Sequence, residues 1–287
     1  MKKIIYGLTG ALVVGFFVGI LLGHHATQNV VQFNNGVLTK EELQDQLYDY
    51  VDTDKFVQFT AEKLLANKYK VSNDQVNKIF EEEKELNGTS FSNTLKEKGE
   101  SESGLKDDIR YNLLLKEAIA DDNKVDDQIL KSYYNDVWEP RVEVQEIVVD
   151  SQEKANEVYE KAQKATDFNQ LVQQYTQDDI GKENDGKAQV SIGEMNKEFD
   201  EAIKSATKKD QIVKPVKTDY GWYVLKIVSP YNKKNYEEEK AQVKSDYVTN
   251  IMTKENINQV LKKLFKEYDV SIKNNQELDK SMKLYIN

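Results

Sequence analysis

Between Pro140 and Pro230 the apolar positions change period several times. Val142, Val144, Ile147, Val148 and Val149 form a short run with the length of a buried strand. Ala155, Val158, Tyr159 and Ala162 then fall at i, i+3, i+4 and i+7, which is one face of a helix. Phe168, Leu171, Val172 and Tyr175 repeat that spacing, as do Phe199, Ala202, Ile203 and Ala206. Trp222 to Val228 reads as a β-rich strand entered through Tyr220-Gly221. The predicted order is strand, helix, helix, glycine-bearing loop, helix, strand. Proline lacks a backbone donor and pushes its predecessor out of helix, so Pro140 and Pro230 mark the limits of this α+β segment. Its length, about 90 residues, is enough to fold alone.

The flanks carry helical periods. Residues 53–139 are expected to be helical throughout. Phe56, Phe59, Leu64 and Leu65 belong to one amphipathic segment. Ser72 with Gln75 caps the next, whose face is Val76, Ile79, Phe80 and Leu86 and whose stop is Asn87-Gly88. Phe91 and Leu95 mark a short helix ended by Gly99. Leu105, Ile109, Leu113, Leu114 and Ile119 mark another, and Val125, Ile129, Leu130, Tyr133 and Tyr134 the last before Trp138. After Pro230 the charged run Lys233–Lys240 reads as a solvated first turn of one long helix. Its apolar positions are Val243, Tyr247, Ile251, Val260, Leu261, Leu264 and Phe265, and Tyr268–Ile272 reads as a short strand.

At the start, Lys2-Lys3 precede an apolar run from Ile4 to Gly23, about the 20 residues that span a bilayer. The lysines hold the N-terminus in the cytoplasm and send the rest outside. An uncleaved single-span anchor over residues 1–27 is expected, with a cleaved signal and a secreted protein as the alternative. Leu21-Leu22-Gly23-His24 resembles a lipoprotein box with histidine where the acylated cysteine belongs. Asn35-Gly36 between apolar residues signals a hairpin, and Thr39 with Glu42 a capping box opening a helix.

Composition narrows the chemistry. The 287 residues carry a net charge of -10, which argues against nucleic acid and leaves basic or unfolded polypeptides as partners. There is no cysteine, so disulfides, thiolate catalysis and cysteine–zinc sites are excluded. The only two histidines, His24 and His25, are adjacent at the end of the apolar run, which leaves no Ser-His-acid triad for the folded body. No metal or cofactor is expected.

The 140–230 segment resembles a parvulin-type peptidyl-prolyl isomerase domain. The resemblance rests on Val142–Val149, Asp167-Phe168 with Leu171, Tyr175–Asp178, Met195 with Phe199 and, most specifically, Ile212–Lys226 with its Pro215 and Tyr220-Gly221. With its flanks the chain is similar to the PrsA foldases of bacterial cell surfaces. That implies an α+β protein in which a helical chaperone domain of the SurA/PrsA kind, residues 28–139 with 231–287, is interrupted by a parvulin-like domain, residues 140–230. Unfolded or partly folded exported proteins are the implied partners, and a homodimer is left open.

The resemblance assigns Met195 and Phe199 to the substrate-binding pocket and Asp178 to the acidic position of the polar centre. Glu146 and Tyr223 stand where catalytic parvulins carry histidines, and Asp185–Gln189 replaces a loop with a second glycine and a leucine. Glu146, Asp178 and Tyr223 are the candidate catalytic residues. Prolyl isomerisation needs no nucleophile, only a grip on the ring and polar groups that favour the twisted amide, against a barrier of roughly 18–20 kcal/mol. Two function classes therefore compete: an isomerase of exported proteins, and a holdase-type chaperone whose parvulin domain keeps its fold with little or no activity. A surface structural or binding module with no client is the third reading.

Overall fold

The structure is a computed structural model that describes residues 29–33, 36–39, 53–164 and 167–271. The apolar run from Ile4, the helix expected after Thr39 and the tail beyond Asn274 lie outside the described residues. Among the described residues no helix is long and apolar enough to cross a membrane. Strands β1 (Asn29–Phe33) and β2 (Gly36–Thr39) form the expected antiparallel hairpin. Phe33 pairs with Gly36, so Gly36 opens β2, where the Asn-Gly signal set it in the turn.

Residues 53–136 are helical: α1 (Thr53–Lys68), α2 (Asn73–Asn87), a 3-10 turn at Gly88–Ser90, α3 (Phe91–Glu97), α4 (Glu102–Asp122) and α5 (Asp127–Asp136). The starts of α2, α4 and α5 are set by short polar side chains, Ser72, Ser101 and Asp126, that satisfy free N–H groups of the first turn. Ser72 Oγ accepts from the Gln75 N–H at 3.2 Å while Gln75 Oε1 accepts from the Ser72 N–H at 2.9 Å, a complete capping box. Asp126 caps α5 through the Ile129 N–H at 2.9 Å. Gly88, at φ 54, ends α2. The buried stripe of α1 is Val57, Ala61 and Leu65, an i, i+4 series. Phe59, expected on that face, is 61% exposed because it falls two residues off the stripe.

The C-terminal end is two helices, α10 (Tyr236–Ile251) and α11 (Lys254–Glu267), where one was expected. Thr253 restarts the chain as an N-cap, accepting the Asn256 N–H at 3.2 Å, and the Asn256 side chain donates to the Ile251 carbonyl at 2.7 Å. Residues 268–271 form a turn and irregular chain after α11, not the expected strand. Asp269 has φ 48, and the Val270 N–H closes on the Phe265 carbonyl at 3.0 Å. These late helices share cores with the early ones. Val57, Leu65, Leu114, Leu115 and Ile119 are buried with Val248, Leu261, Leu264 and Phe265. Leu130 and Trp138 are buried with Tyr236 and Val243.

The intervening segment is built on a four-stranded antiparallel sheet of β3 (Val142–Val149), β4 (Lys187–Val190), β5 (Val216–Thr218) and β6 (Gly221–Ser229), in the order β4-β3-β6-β5. Helices α6 (Gln152–Ala162), α7 (Phe168–Tyr175), α8 (Asp179–Glu183) and α9 (Lys197–Ser205) complete it. Strand side chains alternate between faces, and both faces are covered here. Ile147, Val149 and Val224 pack under α6 and α7 with Val158 and Val172. Val142, Val144, Tyr223, Leu225 and Ile227 pack under α9 with Phe199 and Ile203. The stretch 185–189, expected as a loop, is strand from Lys187 onward, because β3 offers it a pairing edge.

The two crossings between helical layer and sheet are held by polar contacts. Trp138 Nε1 donates to Asp246 at 2.9 Å, and Arg141 reaches the same carboxylate at 3.2 Å. The Tyr231 hydroxyl donates to Glu139 at 2.7 Å, and Lys233 donates to the Trp138 carbonyl at 2.6 Å. The Lys233–Lys240 run is therefore more than a solvated turn; its first lysine ties the returning chain to the outgoing one.

Candidate functional site

Val144, Glu146 and Val148 share the β3 face turned toward α9, opposite Ile227, Leu225 and Tyr223 of β6. A carboxyl is thus set in a row of apolar neighbours. Burial, with Asp178 adding a like charge nearby, pushes the Glu146 carboxyl up from 4.5 to about 7. Near neutral pH a large share of Glu146 keeps its proton and can donate a hydrogen bond. The Tyr223 hydroxyl is pushed up to about 12, first by burial and then by Glu146 and Asp178, with a hydrogen bond from Thr218 acting the other way. The Tyr223 phenol stays neutral at any physiological pH.

Asp178 is positioned by capping. One carboxylate oxygen accepts the Ile180 N–H at 3.2 Å and the other the Gly181 N–H at 2.9 Å, opening α8. The residues before it are pinned to β3. The Thr176 hydroxyl accepts the Val148 N–H at 3.0 Å, and the Gln177 N–H donates to the Val148 carbonyl at 2.8 Å. The structure thus brings Glu146, Asp178 and Tyr223 within electrostatic reach of one another. Phe199 is completely buried, and its ring meets that of Tyr223 edge-on at 5.6 Å. It supports the site from below, while Met195 is half-buried at the margin of the same cluster. A cleft of about 1010 Å³ runs along residues 211–219 and α9, lined by Tyr159, Ala202 and Trp222 and bordered by Thr218 and Asp219.

Sequence reasoning missed four supporting residues. Thr176 and Thr218 are buried hydroxyls, and Thr218 accepts the Tyr220 N–H at 3.1 Å. Gln145 is buried and donates to Asn169 at 2.7 Å and to the Asp185 carbonyl at 3.0 Å. A polar residue inside an apolar run was the available signal for Gln145, whereas Thr176 and Thr218 stand in polar stretches that gave none. Gly186 accepts the Glu146 N–H through its carbonyl at 2.7 Å. It has φ 71, and a Cβ there would stand 2.5 Å from the Glu146 carbonyl oxygen. Gly186→Ala is expected to cost about 2–3 kcal/mol, since positive φ and a backbone clash add, read as a lowered urea midpoint.

The family described as "Rotamase: PPIC-type PPIASE domain" matches residues 141–229, the sheet segment and its site. Over 272 residues the chain is 34% identical to Foldase protein PrsA 2 of Listeria monocytogenes, covering 94% of this chain and 91% of that one. The chain belongs to the PrsA foldase family. Foldase protein PrsA of Geobacillus kaustophilus is 30% identical over 274 residues, covering 95% of each chain. The crystal structure of foldase protein PrsA from Streptococcus pneumoniae shares the fold, with a TM-score of 0.50 at 20% identity over 90% of this chain and 99% of that one. This PrsA-family chain therefore carries a peptidyl-prolyl isomerase domain with Glu146 in its opening strand and Tyr223 in its closing one.

Proposed function

We propose that the chain is an extracytoplasmic foldase whose sheet face grips proline segments of exported proteins and turns them over slowly. The observation that carries this reading is Glu146. It is a mostly buried carboxyl with a near-neutral pKa, on the strand opposite Tyr223 and close to Asp178. In its protonated form Glu146 donates one hydrogen bond toward the amide, and Tyr223 offers a second donor across the sheet. Met195 and the Phe199–Tyr223 pair supply the apolar support for the ring. Asp178 is already committed to two backbone N–H groups, which reduces what it offers a substrate.

Binding is expected to outlive catalysis, because the side-by-side imidazoles of the family are replaced by a carboxyl and a larger phenol. Each 1.36 kcal/mol of lost transition-state preference lowers the rate about tenfold. In a protease-coupled proline-peptide assay the full chain is expected to be weak, and Glu146→His with Tyr223→His to gain activity. Robust turnover by the unaltered chain, with no gain in the double variant, would overturn the slow-site reading.

Residues 28–139 and 231–287 are proposed as one client-holding helical domain with 140–230 inserted, and residues 1–27 as the membrane anchor. The shared cores of α1, α4, α10 and α11 support the first, and the uninterrupted apolar run supports the second. Mass spectrometry of the cell-derived protein tests the anchor: a mature N-terminus near Thr27 would replace it with a secreted form.

A further inference from the structure

Two large apolar side chains stand in solvent beside the acidic centre. Ile180 is 72% exposed and Tyr220 is 77% exposed. Single exposed apolar residues are ordinary on a protein surface. Ile180 lies in the first turn of α8 and Tyr220 in the β5–β6 turn, and the chain at both places is fixed against one residue, Val148. The chain leading into α8 is tied to Val148 through both Thr176 and Gln177, at 3.0 and 2.8 Å. On the other side the β5–β6 turn, whose tip is Asp219-Tyr220, returns through Gly221. A Cβ on Gly221 would lie 2.9 Å from the Val149 carbonyl and 3.2 Å from Val148 Cγ1. Ile180, from the start of α8, and Tyr220, from the β5–β6 turn, thus flank the Val148 end of the Glu146–Tyr223 face.

Each follows an aspartate directly. Asp179 is 95% exposed, with Lys182 at 3.8 Å. Asp219 sits at the turn tip beside Tyr220. Asp178 adds a third carboxylate one residue further in. A cation beside a bound proline would meet carboxylates and the face of the Tyr220 ring, while an anion would meet like charges. We propose that Ile180 and Tyr220 form the specificity-determining rim of the prolyl site, which selects segments carrying Lys or Arg next to the proline. This assignment rests on the sheet face gripping proline.

The test uses the full chain and two labelled peptides, Ala-Lys-Pro-Phe and Ala-Glu-Pro-Phe, with binding read by fluorescence anisotropy. The lysine peptide is expected to bind roughly fivefold more tightly, the scale of one exposed cation–aromatic contact. Ile180→Ser is expected to weaken both peptides. Asp219→Asn with Tyr220→Ser is expected to remove the preference and leave the glutamate peptide unweakened. Equal binding of the two peptides by the unaltered chain overturns the rim selectivity and leaves the proline grip standing. A preference that survives every rim variant places recognition elsewhere and also overturns the rim. Failure to bind either peptide overturns the grip itself.

Discussion

A chain ending at Ser229 is expected to lose cooperative unfolding of its remaining helices. That truncation removes α10 and α11, and with them Val243, Val248, Val260, Leu261, Leu264 and Phe265, all buried. At about 1.5–3 kcal/mol for each large buried side chain, their sum is roughly 10 kcal/mol or more. A domain has only about 5–15 kcal/mol of net stability in total. The truncation also strands partners. Trp138 loses its acceptor Asp246, and Asp122 loses Gln259 and Lys263. The sheet segment keeps both its cores, so it is expected to retain a transition of its own. Urea unfolding followed by far-ultraviolet circular dichroism checks this. Residues 28–139 unfolding alone as sharply and as late as the full chain would show that the early helices need no late partner.

How far this architecture is legible in the sequence depends on element length. Helices α6, α7 and α9 announce themselves because two turns of 3.6-residue spacing leave a repeated apolar mark. Strands β3 and β6 do so through runs of valine, isoleucine and leucine. The elements that escaped are short: α8 has 5 residues, β4 has 4 and β5 has 3. None is long enough to repeat a period, and each exists because a neighbour completes it. β4 pairs with β3, β5 with β6, and Asp178 caps α8. The break between α10 and α11 hid inside a continuous apolar stripe, although Thr253 and Asn256 carried the capping signal. Phe59 shows the opposite error, an aromatic side chain assigned inward on its chemistry while the stripe of Val57, Ala61 and Leu65 ran beside it. At the site, the identities of Glu146, Asp178 and Tyr223 were readable from the resemblance. So was the conflict between the Glu146 charge and burial beside Asp178. Its size was not, because it depends on how Val144, Val148 and Leu225 are placed around the carboxyl.

Replacing Glu146 with glutamine is expected to change the pH dependence of stability more than any other single uncharged substitution in the sheet. In the unfolded chain the carboxyl titrates near 4.5, and in the fold near 7. Between those values the folded state holds a proton that the unfolded state has released. Stability from this group is therefore fully present below pH 4.5 and is lost as pH rises through about 7. A pKa difference of one between the two states is worth about 1.36 kcal/mol, so the full loss is about 3 kcal/mol. Glutamine has nearly the same shape and no charge to bury, so the variant lacks this slope. Other carboxylates act in the opposite sense. Glu139, held low by Tyr231, Lys204 and Lys233 against the effect of burial, contributes stability that is lost as pH falls. Such contributions are common to both chains and cancel in the difference between them. Urea unfolding at pH 5 and at pH 8 is expected to show the variant gaining on the unaltered chain by about 2–3 kcal/mol across that interval. Asp178→Asn separates the two causes. Removing its charge is expected to shrink the slope and not abolish it, because burial is the larger contribution. A stability difference between the unaltered chain and the Glu146→Gln variant that stays constant from pH 5 to pH 8 would mean that the carboxyl is solvated. It would also withdraw the protonated donor from the proposed site.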